Sequence, residues 1–207
     1  MEGFEKVTIG EPMEVVVEET SCSKSSQIVD LLRKFLNVQT RRTEAYANLR
    51  SGFNDYMGGG TEAGYQQVCR EITEEFNECS KLVLKLEALF LNAGCCRDDL
   101  ASLLRSVQAH EKQKLQLTVT IQLLKKSGRP SERLVSHENC RSGTPAAHEC
   151  MHVHDLTVAD GTEDAEADAE YDGAMKEAIR GVQDAVTSIN EHLDEVRYEI
   201  EALEAET

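Results

Sequence analysis

Apolar and polar positions along the chain follow the period of a helix that buries one stripe. From Ile28 to Tyr56 the inward-type positions are Ile28, Leu32, Phe35, Gln39, Arg42, Tyr46, Leu49, Phe53 and Tyr56, spaced alternately four and three residues apart. That is a coiled-coil-like heptad seam. Ser25 or Ser26 is placed to cap its start, and Gly58, Gly59 and Gly60 stop it. A second seam begins after Thr61 at Tyr65, runs through Ile72, Phe76 and Val83 to Phe90 and Ala93, and ends at Gly94. A third starts at Asp98 and Asp99, whose carboxylates favour a helix N-terminus. It follows Leu100, Leu103, Val107, His110, Lys114, Leu117, Ile121 and Leu124, and closes at Gly128 and Pro130. The fourth is the most regular: Met175, Ile179, Val182, Val186, Ile189, Leu193, Val196, Ile200 and Leu203. Gly181 interrupts it at a cost of about 1 kcal/mol relative to Ala.

These elements predict an all-α fold, an antiparallel bundle of long helices with heptad seams. The turns at 58–61 and 94–97 are short, so the first three helices must run up, down and up. Residues 25–129 then form a three-helix core. Residues 1–24 read as a disordered acidic arm and 130–172 as a disordered linker containing His and Cys. A C-terminal helix at 173–205 is expected to dock on the core, because a stripe of that length has to be buried against something.

Charge sharpens this division. The chain carries a formal charge of −16. Residues 25–129 contain 15 Lys and Arg against 12 Asp and Glu, a net of +3, so the acidity sits in the tails, the linker and the last helix. Residues 155–172 hold eight acidic side chains and no basic one, the mark of a solvated segment. The whole-chain charge opposes nonspecific binding to nucleic acid or an anionic membrane. The N-terminal stretch lacks the apolar run of a secretory signal, and no apolar stretch is long enough to span a bilayer. Seven Cys, an odd number, then read as free thiols in the cytosol or nucleus.

Candidate chemistry is sparse. Cys140, His148, Cys150 and His152, with His137 and His154 nearby, are metal-ligand residue types, but their spacing fits no structural zinc signature; no metal or other cofactor is expected. Cys95 and Cys96 fall on the second turn, and Cys69 and Cys79 on the seam. Gly58 to Gly60 lack the Lys and Ser or Thr of a phosphate-binding loop, and no nucleophile elbow or His-Glu-x-x-His pattern occurs. The chain reads as a non-enzyme. Two sets of residues stand out. Gln39 and Arg42 on the first helix, and His110 and Lys114 on the third with Glu111 beside them, interrupt the seams at a common height, where a buried polar layer, for example an Arg42–Glu111 pair, would set register. Arg33, Lys34 and Arg41 lie off the seam and form a basic face that a phosphate backbone or a partner could use. A solvated face is the simpler reading of it.

The pattern Gln39-x-x-Arg42-x-x-Ala45-Tyr46-x-x-Leu49-x-x-Gly52-x-x-x-Tyr56 resembles the Required for Excision 1-B domain family. So do Tyr65, Glu71-Ile72, Phe76, Ser80, Val83 and Glu87, then Gln108-x-x-Glu111-x-x-Lys114-Leu115 with Thr118 and Gln122. The likeness covers residues 27–129 and 174–205. It implies a part in DNA excision repair, hence a nucleus, and brings no catalytic residue. Combined with the seams, it yields the expectation of a helical adaptor that docks on protein partners, repair factors among them, with direct nucleic-acid binding and membrane binding not expected. The alternative is a coiled-coil scaffold of a cytoskeletal or ciliary assembly in the cytoplasm. The seams leave open whether the helices close within the chain or on a second copy.

Overall fold

A computed structural model describes residues 14–132 and 158–206, with side chains for 24–132 and 165–206. Four helices make up the described fold: α1 (Glu14–Met57), α2 (Glu62–Leu91), α3 (Asp98–Ser127) and α4 (Val158–Ala205), with one 3-10 turn at Pro130–Glu132. Each helix packs antiparallel to the one before it, and α4 returns to α1. The ends show the directions. Arg97, just before α3, pairs with Glu199 near the end of α4 at 2.7 Å, whereas Arg129, just after α3, pairs with Asp172 near the start of described α4 at 2.5 Å. Arg33 on α1 meets Glu204 at 2.5 Å. The result is an up-down-up-down bundle.

Local sequence explains the turns. Thr61 caps α2, its hydroxyl accepting the Gly64 N–H at 3.2 Å. Gly59 takes a φ of +108° in the first turn, a conformation that costs Gly little. The second turn puts its positive φ on Cys96 (49°) rather than on Gly94, and α2 stops at Leu91, short of the expected Gly94. Backbone bonds explain that early stop: Asn92 N–H turns back to Leu89 O at 3.3 Å, and Arg97 N–H reaches Phe90 O at 3.0 Å. Gly128 ends α3 at φ +70°.

Two boundaries differ from the sequence expectation. α1 begins at Glu14, so part of the 1–24 segment expected to be an unstructured arm is helical. Residues 13–51 contain no Gly or Pro, and nothing stops the helix from running back past Ser25 and Ser26. α4 begins at Val158 rather than near 173, so the latter part of the expected 130–172 linker is helical too. Ala and Glu are strong helix formers, and the acidic side chains find partners: Asp168 accepts the Ser131 N–H at 3.0 Å and lies 3.5 Å from Arg129.

The core divides along the bundle. At one end Leu32, Phe35, Val83, Phe90, Leu104 and Val196 are buried together with Leu31, Leu86, Ile189 and Leu193. At the other, a smaller cluster of Ala45, Leu49, Ile72 and Phe76 is packed by Tyr46, Tyr65 and Leu115. Here the helices approach closely over Gly. A Cβ on Gly52 would stand 2.8 Å from Val68 Cγ1, and one on Gly181 would stand 2.7 Å from Leu117 Cδ1. Gly181, read from sequence as a tolerated flaw, is therefore a contact point, and Ala178 and Ala185 are buried beside it. Ile179, expected on the seam, is 42% exposed. Around Gly181 the buried side chains of α4 are small ones, Ala178 and Ala185.

Candidate functional site

The two apolar clusters are separated at mid-height by polar side chains. Gln39 and Arg42 enter from α1 and Glu111 from α3, each at least nine-tenths buried, with Arg42 only 2% exposed. Positions 39 and 42 continue the inward stripe that carries Phe35 and Tyr46, so helix register forces them into the bundle. Arg42 Nη2 donates to Gln108 Oε1. Gln108 Nε2 in turn donates to Ser80 Oγ at 2.9 Å, so the chain of bonds crosses from α1 through α3 to α2. Tyr46 OH donates to the Glu111 carbonyl at 3.2 Å, and Lys114 Nζ lies 3.5 Å from Glu111 Oε1 and 3.8 Å above the Tyr46 ring.

Electrostatics follow from this burial. Loss of solvent lowers the Arg42 pKa, and nearby Glu111 opposes that shift. The same loss of solvent lowers Lys114, again opposed by Glu111. The Tyr46 phenol is raised far above its usual range, first by burial and then by the Glu111 charge. Several polar atoms of the layer have no hydrogen-bond partner: both amide atoms of Gln39, Arg42 Nη1 and Glu111 Oε2. Unpaired buried polar atoms are costly, and in native structures such groups mark water or ligand positions.

The structure thus brings Gln39, Arg42, Glu111 and Lys114 to one height, but with different partners from those expected. Arg42 bonds Gln108, while Glu111 is held by Lys114 and Tyr46. Gln108 lies outside the α3 seam read from sequence because α3 has two neighbours. One stripe (Leu103, Val107, His110, Leu117) turns towards α4, where the His110 and His192 rings meet at a tilt of 31° with centroids 5.8 Å apart. The other (Ala101, Leu104, Gln108, Glu111, Leu115) turns towards α1 and α2. The signal was present in the second run of four-three spacing through Leu104 and Gln108. A further bond on that side, Tyr65 OH to Gln122 Oε1 at 3.0 Å, joins α2 to α3 near the far end.

The basic residues of α1 do not form one free face. Arg33 turns to α4 and pairs with Glu204, whereas Arg41 turns to α2 and pairs with Glu75 at 2.7 Å. Lys34 lines a shallow groove with Val38, Arg41, Leu82 and Lys85 between α1 and α2. The three cations that the sequence grouped are split between two sides of the helix by its pitch. Cys140, His148, Cys150 and His152 lie outside the described residues. Among the described residues no cluster of three His, Cys, Asp or Glu could hold a metal, Cys69, Cys79, Cys95 and Cys96 are free thiols, and no helix is long and apolar enough to cross a membrane.

The described core is similar to a known family. Over residues 30–125 the chain matches the family model described as DNA repair REX1-B. The matched region runs from the body of α1 through α2 to the end of α3, so it contains the whole polar layer, and α4 lies beyond it. The Required for excision 1-B domain-containing protein of Bos taurus is 30% identical over 104 residues, which are 49% of this chain and 57% of that relative. The chain therefore spans little more than half of that relative's length. No solved structure matches significantly. The name of that family refers to DNA repair and specifies no reaction.

Proposed function

We propose that the chain is a non-enzymatic helical component of nuclear DNA excision repair that works by docking on protein partners. The REX1-B match over residues 30–125 carries this reading. The structure adds what such a component would need. Its most unusual polar groups are held between helices, where Arg42, Gln108 and Ser80 bond one another and fix how the helices sit. Its outer surface presents large apolar side chains, Leu84 at 58% and Leu123 at 62% exposure among them. Apolar side chains exposed along one groove are a surface that a partner can cover. Two of the α1 cations, Arg33 and Arg41, are paired with carboxylates of α4 and α2, and Arg42 is buried, which divides the basic face and supports protein rather than nucleic acid as the partner.

Recruitment tests the reading. With local ultraviolet irradiation of nuclei in cells carrying the tagged chain, we expect accumulation at the irradiated spots together with known repair factors. An even distribution before and after damage, or residence on cytoplasmic filaments, would count against it.

A further inference from the structure

Between α2 and α3, level with the polar layer, lies a slot of about 200 Å³ lined by Arg42, Asn77, Ser80, Gln108, Glu111 and Lys112 over a floor of Phe76 and Leu115. Arg42 reaches it from across the bundle. It is almost wholly buried, its Nη2 is used by Gln108, and its Nη1 has no partner. Two cations and one carboxylate line the slot, leaving a net positive charge, and the carboxylate already has Lys114 beside it. One further negative group would neutralise the slot, and a carboxylate accepts well from a guanidinium edge.

The groove on either side of the slot is apolar. Asn77, Leu84 and Leu91 recur every seven residues on the α3-facing edge of α2, and Lys112 and Val119 do the same on the α2-facing edge of α3, followed by Leu123. The cross-groove bonds Ser80–Gln108 and Glu87–Arg105 fix which edges face each other. Leu84 and Leu91 are 58% and 47% exposed, and Val119 and Leu123 are 42% and 62% exposed. Because α2 and α3 are antiparallel, Leu84 lies two turns from Asn77 in one direction and Val119 two turns from Lys112 in the other, about 10 Å each way from the middle of the slot.

We propose that the α2–α3 groove is a docking site for a helix of a protein partner, whose central Asp or Glu enters the slot to bond Arg42 while apolar residues about two turns to either side cover Leu84 and Val119. The partner chemistry follows from the charge of the slot and the spacing of the apolar flanks. This names the kind of partner for the docking role proposed above and rests on that reading only for its biological setting, since the site can be probed with the isolated chain.

The full chain, labelled with 15N and 13C, is titrated with an acetylated, amidated helical peptide that carries one Glu with Leu seven residues before and after it. The matching Gln peptide and N-acetylglutamate amide are the comparisons. The Glu peptide is expected to shift the Arg42 guanidinium, Gln108 amide and Leu84 and Val119 methyl signals saturably, and to bind about ten-fold tighter than the Gln peptide. Lys112→Glu and Ser80→Leu, at positions that solvent partly reaches, are each expected to weaken it about five-fold or more while thermal unfolding stays cooperative. Equal binding of the Glu and Gln peptides, or no saturable shift at Arg42, would overturn the site. N-acetylglutamate amide binding as tightly as the peptide would also overturn it, because the groove would then contribute nothing. None of these results bears on whether the chain is recruited to damage, so the two proposals fail separately.

Discussion

Arg42 concentrates the energetics of the layer in one side chain. Removing one member of a buried polar set leaves its partners desolvated and unpaired, at a cost of about 3–5 kcal/mol when a charge is involved. Arg42→Ala should destabilise the chain on that order. In a denaturation double-mutant cycle, Arg42 and Gln108 should couple by about 1–3 kcal/mol, and Arg42 with Glu111 by less, because the structure joins the first pair and not the second. Equal coupling would show that the hydrogen-bond pattern is wrong. Tyr46 gives a pH signature. Its folded pKa is raised above the 10.0 of the free phenol, so the stability it contributes is intact below pH 10 and is lost as pH climbs above it. Lys114, whose folded pKa is lowered from 10.5, acts oppositely, its desolvation penalty easing as pH rises. Comparing wild type with Tyr46→Phe isolates the phenol: the wild type should lose up to about 1.4 kcal/mol per pH unit more than the variant above pH 10. Parallel pH profiles would contradict this. Gln39, Arg42 and Lys114 were legible because they break an apolar stripe, and Glu111 because it stands beside one of those breaks. Gln108 was not, because a single seam describes a helix with one neighbour and α3 has two.

At the scale of elements, the helices and turns could be read from periodicity and Gly, and their ends less well. Seams report where a helix is buried and say nothing of where it frays into solvent, which is why Glu14 and Val158 lie outside the expected bounds. Close packing was also hidden. Gly52 and Gly181 look alike in sequence, yet Gly52 faces the stiff β-branched Val68 while Gly181 faces the flexible end of Leu117. Gly52→Ala should therefore lower stability by about 1–2 kcal/mol through overpacking. Gly181→Ala should be near neutral, Leu117 rotating away and the helix gaining up to about 1 kcal/mol. Thermal unfolding of both variants checks this, and equal losses would refute the distinction. The fourth helix is bound by charge as well as by apolar contact, through Arg33–Glu204, Arg97–Glu199 and Arg129–Asp172. Solvent-exposed pairs of this kind contribute at most about 1 kcal/mol each. An Arg97→Ala, Arg129→Ala chain should then show faster hydrogen exchange in α4 than in α2, with the difference shrinking at high salt. Unchanged exchange in α4 would mean that apolar contact alone holds it.

On the scale of the molecule, the partition of charge read from sequence acquires a physical purpose. A slightly basic three-helix core meets an acidic fourth helix, and the ion pairs at both ends of α3 record that complementarity. The REX1-B match coincides with the core and its polar layer, and the apolar side chains left outside are the surface that the proposed docking role would use. How that surface is used was not legible from the seams, because exposure depends on which helices are neighbours. The measurement that bears most directly on the account is survival of cells depleted of this chain after ultraviolet damage, with wild-type and Lys112→Glu chains restored at equal levels. Depleted cells should be sensitised, wild type should restore resistance, and Lys112→Glu should restore it only in part. Undiminished resistance after depletion would contradict a role in excision repair.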